Sequence, residues 1–590
     1  IRDSHEPSAS AGQLSICNDD IAESHRPLTA AIHEAGGKCG LQLLQGATCV
    51  FDAKILVPSD MEIYGTNLPG MSKAEINEVI EAYGAAAKRA VDVGYDILEF
   101  HCGHGYLPHL FMNPTTNKRE DEYGGSFENR CRFPLECIKA IRANMPSDMP
   151  LSMRIVSRDD GFEVNTTIEE TIEFCKQAKA LGVDILNVSR GNGMNESMRI
   201  NVPPVDVPRG FNVDDGARIR KETGMIASVC GRINTPELAE EILEADKADL
   251  VVMARAQIAD PEFCNKARTG REDEINYCIG CNQGCHDPHF VPENFFNDSV
   301  HITCLRNPAV GREREYQLSK TSSPRKVLII GGGMGGMEAA YRLSAMGHNV
   351  TLCEASSSLG GQFILAGASP RKGEFAKAAR DNARRLERVG TKVELNTLVD
   401  ADYIARFKPD DVVIAIGAEP ISIKLEGSEN KPVYNSHDVL AGRAVPEGNV
   451  VVIGGGMVGL ETAELLASHG CKVTVIEMQE KVAADMGLAR RMCTLEAISH
   501  ESIKLMTGTR CCRVDASGVV ATSGEEEISI PCDCIVMAIG SRSRDTSALV
   551  KACEDNGVKY YIIGDAVKAR RALNATGEGA AVAYEINKKQ

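Results

Sequence analysis

The chain writes one folding unit twice. An apolar strand, Lys326–Ile330, runs into Gly331-Gly332-Gly333-Met334-Gly335-Gly336 and a helix, and the next strand pattern, HNVTLCE, ends on Glu354. The same order returns with Asn449–Ile453, then Gly454-Gly455-Gly456-Met457-Val458-Gly459, then CKVTVIE ending on Glu477. In both copies the acid stands twenty-one residues past the second fingerprint glycine. One glycine fingerprint is weak evidence, but two with strand, helix and acid in register predict two Rossmann-like nucleotide-binding domains. The glycines let backbone approach a pyrophosphate at a helix N-terminus, and the carboxylate takes ribose hydroxyls.

The two copies are not interchangeable. The first is followed by Leu359-Gly360-Gly361-Gln362, and the chain later returns with Ile563-Gly564-Asp565-Ala566. The second is bracketed by Ala415-Ile416-Gly417 and Ala538-Ile539-Gly540, so it reads as an insertion. This resembles the flavoprotein disulfide-reductase fold. The resemblance implies FAD on Gly331, Gly333, Gly336, Glu354, Gln362, Gly564 and Asp565, with residues 325–430 and 535–590 as its domain. It implies the nicotinamide nucleotide on Gly454, Gly456, Gly459 and Glu477, within residues 431–534. Glu477 would repel a 2′-phosphate, and no Arg or Lys follows until Lys481, which favours NADH over NADPH.

Residues 1–270 read differently. Short apolar runs recur at Cys39–Leu44, Ile97–His101, Leu151–Val156, Ile185–Ser189, Met225–Cys230 and Leu250–Arg255, with helical patterns such as Lys73–Val93 and Thr167–Leu181 between them. Alternating strand and helix predicts parallel βα units. Six are visible where a closed (β/α)8 TIM barrel needs eight, so two, the first two, are expected to lie outside this sequence. A six-stranded open doubly wound sheet is the competing architecture. Barrel chemistry sits where strands end. Those ends are polar here: Gln42 lies within the first run, His101, His104 and Tyr106 follow the second, Arg154 is on the third and Arg255 closes the sixth. An Arg on a central strand is costly unless it meets an anion or an electron-rich ring. A phosphorylated flavin supplies both. The His-x-x-His spacing also fits a metal site, and Tyr106 also fits a half-buried structural phenol.

Between the halves stands Cys278-Ile-Gly-Cys281-Asn-Gln-Gly-Cys285, then eighteen residues, then Cys304. Four thiols so spaced can converge on one centre, and thiolates select zinc or an iron–sulfur cluster. Position favours the second. A one-electron relay is useful between a barrel and two nucleotide domains, so the segment 271–324 is read as a [4Fe–4S] cluster segment and linker.

The segment HCGHGYLPHLFMNPTTNKREDEYGGSFENRCRF resembles the signature of the Old Yellow Enzyme family of flavin-dependent ene-reductases. Together with the cysteines and the C-terminal half, it is similar to the long iron–sulfur branch, which includes 2,4-dienoyl-CoA reductase, 2-enoate reductase and trimethylamine dehydrogenase. The resemblance implies that Gln42 and Arg154 meet the FMN ring, and Gly231 and Arg255 its phosphate. It implies that His101 and His104 hold a substrate carbonyl, with Tyr106 as the proton donor. Ala254 stands where the family has Gly. Dienoyl-CoA reductases use a further barrel histidine, and this chain has none between His109 and His286, which favours an enoate or enone reductase. The activity expected is NADH-dependent reduction of a carbonyl-conjugated C=C bond, with electrons passing from NADH to FAD, cluster, FMN and substrate. The alternative is a C–N oxidising amine dehydrogenase that feeds a carrier protein.

The partners expected are a small-molecule substrate with a conjugated C=C bond and a second copy of the chain in a homo-oligomer, with no nucleic acid and no membrane. A net charge of −17 opposes binding to nucleic acid or anionic membranes. No apolar run approaches the roughly 18–20 residues of a membrane span. The 21 cysteines are mostly scattered singly through strand and helix patterns, a usage that fits a reducing cytoplasm.

Overall fold

A computed structural model describes residues 14–45, 56–63, 66–161, 164–193, 197–290 and 301–588. Of the eighteen residues between Cys285 and Cys304, 291–300 fall outside them. The chain divides into two compact units, residues 1–256 with 288–300, and residues 257–287 with 301–590. Among the described residues no helix is long and apolar enough to cross a membrane.

In the first unit six strands form one parallel sheet: β1 (Gly40–Leu43), β2 (Ile97–Cys102), β3 (Leu151–Val156), β4 (Ile185–Ser189), β5 (Ile226–Val229) and β6 (Leu250–Val251). Each pairs with the next in chain order. That order decides between the two architectures. A doubly wound sheet reverses direction at a switch point, whereas right-handed crossovers that always step the same way place every helix on one face and curl the sheet as in a TIM barrel. The sixth strand is shorter than its apolar run. It ends at Val251, and Arg255 lies on the helix Ala254–Ala259, not on the strand.

Strand periodicity sets what each face carries. On β2, Leu98, Phe100 and Cys102 are fully buried in the core, while Glu99 and His101 turn to the opposite face. Outside pack helices such as α1 (Lys73–Asp92), started by a capping box in which Ser72 and Glu75 satisfy each other's backbone amides. Its Ile76, Val79, Tyr83 and three alanines are buried, and Tyr83 meets Phe100 edge-on at 5.2 Å. Cys102, Cys137 and Cys175 sit in this core as thiols whose pKa burial pushes up, that of Cys175 to about 12. At the N-terminal ends of β1 and β2, Asp96 accepts from His33 at 2.8 Å, Lys38 at 2.8 Å and the Cys39 amide at 2.9 Å.

The second unit contains two parallel sheets. The outer sheet has the order β9–β8–β7–β10–β18, built from β7 (Lys326–Ile330), β8 (Asn349–Cys353), β9 (Lys392–Glu394), β10 (Asp411–Ile414) and β18 (Lys559–Ile562). The chain leaves it through β11 (Ala418–Pro420). It then makes the inner sheet from β12 (Val433–Asn435), β13 (Asn449–Ile453), β14 (Lys472–Ile476), β15 (Ile503–Met506) and β16 (Cys534–Met537), ordered β12–β16–β13–β14–β15. It comes back through β17 (Ser541–Ser543), which pairs antiparallel with β11. Both sheets reverse strand order beside their glycine-run strand, the switch point at which nucleotides sit in open α/β sheets.

Candidate redox sites

At the barrel mouth the strand ends converge on a histidine pair. His101 is the penultimate residue of β2 and His104 stands three residues on, in a left-handed backbone turn of φ 60° that a non-glycine residue seldom adopts. Hydrogen bonds hold the turn: the Gly193 amide donates to the His104 carbonyl at 3.0 Å. The Gly103 amide donates to His101 Nδ1 at 3.3 Å, which leaves the proton of that ring on Nε2. His101 Nε2 then donates to His104 Nδ1 at 3.2 Å, and His104 Nε2 to Ser189 Oγ at 2.8 Å. Burial, then the charge of Arg154, pulls the His101 pKa down to about 3. Burial and the neighbouring His101 hold His104 well below its ordinary value. Both rings are neutral donors at pH 7.

Tyr106 is the half-buried residue that starts the short helix Leu107–Met112, and its ring meets His101 edge-on at 4.6 Å. The structure thus brings His101, His104 and Tyr106 together. Below them the inner face is polar on β1 to β4. Glu99 accepts from Gln42 at 2.6 Å, Ser152 at 2.9 Å and Asn187 at 3.0 Å. One step higher, Arg154 approaches Ser189 at 3.4 Å and the Cys230 thiol at 4.0 Å. Gly231 follows with φ 138° and accepts from the Gly210 amide at 2.7 Å. Arg255 donates to the Pro203 carbonyl at 2.8 Å.

Sequence reasoning passed over the support beneath this loop. His109 Nδ1 accepts from the Gly105 amide at 3.0 Å, and its Nε2 faces Asp159 at 3.3 Å with both side chains buried. Burial alone would raise the pKa of Asp159, but the His109 charge and bonds from His109, Asn113 and Asn192 outweigh it and lower it. The only signal in the sequence was the last letter of HGYLPH.

The four cysteines lie in the second unit. Gly284 brings two loops together: its carbonyl accepts from the Thr303 amide at 3.0 Å, and a Cβ on it would collide with the Thr303 carbonyl. Cys285 and Cys304 are thereby neighbours. Burial, then the other thiols, pushes the Cys304 pKa up to about 12 and that of Cys281 well above its ordinary value; Cys278 and Cys285 act on both. The thiols therefore lie near one another, on the two loops that Gly284 joins. That donor set fits a thiolate-bound iron–sulfur centre, whose positive charge would reverse the shift. Arg306, two residues past Cys304, is buried. It donates to the Tyr277 carbonyl at 3.2 Å and to Asn382 Oδ1 at 2.7 Å on the helix α9 (Gly373–Arg388) of the outer nucleotide fold. Sequence reasoning missed Arg306, since nothing in the motif marks the residue that docks it.

The two glycine runs fold alike. In the first, a Cβ on Gly331 would collide with the Ala415 carbonyl and one on Gly336 with the Gly331 carbonyl. Gly333 caps α8 (Met334–Ala345) with open space around it, and Glu354 accepts the Gly332 amide at 2.7 Å and the Ser356 amide at 2.8 Å. In the second, Gly454 faces the Ala538 carbonyl and Gly459 the Gly454 carbonyl. Gly456 caps α10 (Met457–Ser468), and Glu477 accepts the Gly455 amide at 2.7 Å and the Gln479 amide at 2.8 Å. Gln362 donates to the Ala418 carbonyl at 2.9 Å, and the Gly564 amide to Glu578 at 2.6 Å. Burial raises the pKa of Asp565 beside it. Between the folds lies a buried ionic knot. Lys372 and Arg490, the latter at 3.1 Å, both grip Glu461 on α10, and Arg371 grips Glu464.

Comparison with known proteins agrees with this plan. The model of the NADH:flavin oxidoreductase / NADH oxidase family matches residues 3–274, and that of pyridine nucleotide-disulphide oxidoreductases matches residues 325–567. The NADH oxidase of Thermoanaerobacter brockii is 36% identical, with 98% of this chain and 89% of that protein covered. The cinnamate reductase of Clostridium sporogenes is 32% identical over 95% of this chain and 86% of its own. Among solved structures, a 2-naphthoyl-CoA reductase complex superposes with a TM-score of 0.90 at 29% identity, covering 98% of this chain and 89% of the other. The chain belongs to the NADH:flavin oxidoreductase / NADH oxidase family and is an NADH-dependent flavin oxidoreductase.

Proposed function

We propose that this enzyme uses NADH to reduce a carbonyl-conjugated C=C bond at the barrel mouth. One observation carries the reading: two neutral imidazole donors and a tyrosine ring, 4.6 Å from His101, converge where strand ends meet. The substrate carbonyl takes over the Nε2–H of His101 or of His104, which in this structure go to His104 and Ser189. Neutral donors aimed at that oxygen stabilise the enolate charge that develops on it. Tyr106 delivers the proton to the α-carbon, since a phenol donates without being ionised at pH 7.

Gln42, Arg154, Gly231 and Arg255 hold FMN. Gly331, Gly333, Gly336, Glu354, Gln362, Gly564 and Asp565 hold FAD, Gly454, Gly456, Gly459 and Glu477 hold NADH, and Cys278, Cys281, Cys285 and Cys304 hold a [4Fe–4S] cluster. When bound, these groups supply the hydride and single-electron chemistry that links NADH to the alkene. The inner-face polar stripe supports the flavin assignment, and the close approach of the Cys285 and Cys304 loops at Gly284 supports the cluster.

The test uses full-length protein purified without air. NADH should bleach the flavin absorbance, and one class among enoates, enoyl-CoA esters and steroid enones should restore it with formation of the saturated product. Bleached enzyme that no alkene reoxidises, or bleaching by a tertiary amine without NADH, would overturn the reading.

A further inference from the structure

The two glycine runs differ in one respect that their sequences hide. At the first, a Cβ built on Gly333 meets nothing within 4 Å. At the second, the same position on Gly456 has the carboxylate of Asp485 at 3.8 Å. That carboxylate accepts the Met457 amide, the first of α10, at 3.1 Å through Oδ1 and 3.4 Å through Oδ2. An anionic side chain thus sits at the positive end of a twelve-residue helix, in the seat where the fold places a dinucleotide pyrophosphate.

The loop that carries Asp485 is held from two other directions. Arg571, just ahead of helix α11 (Ala572–Asn587) in the outer fold, donates to the Asp485 carbonyl at 2.6 Å and to Asp287 in the cluster segment at 3.1 Å. Gly487 lies so close to the Asp287 carboxyl group that a Cβ there would collide with it. Asp485 itself is exposed, so its carboxylate can swing into water without repacking.

We propose that Asp485 is an internal stand-in for the pyrophosphate, a latch that caps α10 and that NADH must displace. This rests on the reading of the second glycine run as the NADH seat. The two anions compete for one amide, and the doubly charged pyrophosphate repels the carboxylate it evicts. The backbone of the loop stays held by Arg571 while the side chain leaves, so the latch opens by a side-chain rotation alone. Asp485 is here a residue that sets affinity, and the latch acts only on ligands that carry the diphosphate.

The experiment titrates the flavin-loaded full chain with NAD⁺, ADP-ribose and adenosine by calorimetry. Asp485→Ala should tighten NAD⁺ and ADP-ribose by about tenfold, the order that one helix cap and one helix-end charge carry, and Asp485→Asn, which keeps a capping oxygen and loses the charge, by about threefold. Adenosine, which lacks the diphosphate, should bind as before. Unchanged or weaker NAD⁺ binding in both variants, with Glu477→Ala still abolishing it, would overturn the latch and leave the nucleotide seat standing. Wild-type protein and Asp485→Asn that bind neither NAD⁺ nor ADP-ribose would overturn both.

Discussion

Each imidazole at the barrel mouth receives its proton address from a neighbour. Because Gly103 donates to Nδ1 of His101, the proton is forced onto Nε2 and the chain of donors runs outward to Ser189. The same burial makes these rings sensitive to acid. The unfolded chain protonates His101 near 6.5, and the folded chain only near about 3. Unfolding therefore takes up a proton in that window, and stability falls as pH drops from 6.5 toward 3. His104 contributes with the same sign. His101→Gln should give a shallower dependence of melting temperature on pH below 6.5 than wild type; equal slopes would sink the claim. Tyr106→Phe should slow alkene reduction by roughly 10²–10⁴-fold. Bleaching of the flavin by NADH should stay at the wild-type rate, and stopped-flow traces separate the two steps.

Among the elements, the glycine runs are the most demanding. The third glycine of each lets helix and strand approach so closely that a methyl would strike the carbonyl of the first. Gly336→Ala should lower FAD content, and Gly459→Ala should raise the KM for NADH at full FAD content. Flavin extraction and steady-state kinetics read these separately, and a crossed result would reverse the assignment of the two seats. Gly284→Ala pushes the Thr303 loop away and should lower iron and sulfide per chain, measured against flavin as an internal standard. Strands and glycine runs were legible because period-2 apolar runs and strand–glycine–helix order are local signals. The sixth strand was overread by four residues, since Val252 and Met253 continue the apolar run after the ladder has ended at Val251. The supports of the sites left no local trace. Asp159 is fifty residues from His109, and Asp485 is twenty-eight from the amide it caps, so only the fold makes them neighbours.

At the scale of the molecule, charge is used in two ways. The chain carries a net charge of −17, while among the described residues the buried knot of Lys372, Arg490, Glu461 and Glu464 joins the two nucleotide folds. Removing one partner from a buried pair leaves a charge that water cannot reach. Lys372→Met should cost about 3–5 kcal/mol in denaturant unfolding. A loss within the scatter of surface variants would show that Arg490 alone suffices for Glu461.

The paired strands β11 and β17 carry a different message. The chain enters the inner fold at Ala418–Pro420 and leaves it at Ser541–Ser543, side by side, with the Ile421 amide on the Gly540 carbonyl at 2.9 Å. A segment whose two ends meet can be lifted out as one piece, because the remainder needs only a short turn to close the gap. The inner fold is thus a cartridge entered and left through two paired strands and docked on the outer fold by the Lys372–Glu461 and Arg371–Glu464 pairs. Transplanting 421–540 from a relative, with Glu461 and Glu464 kept for Lys372 and Arg371, should therefore change the preference for the reductant and leave the rest of the chain folded, read by steady-state kinetics with NADH and NADPH.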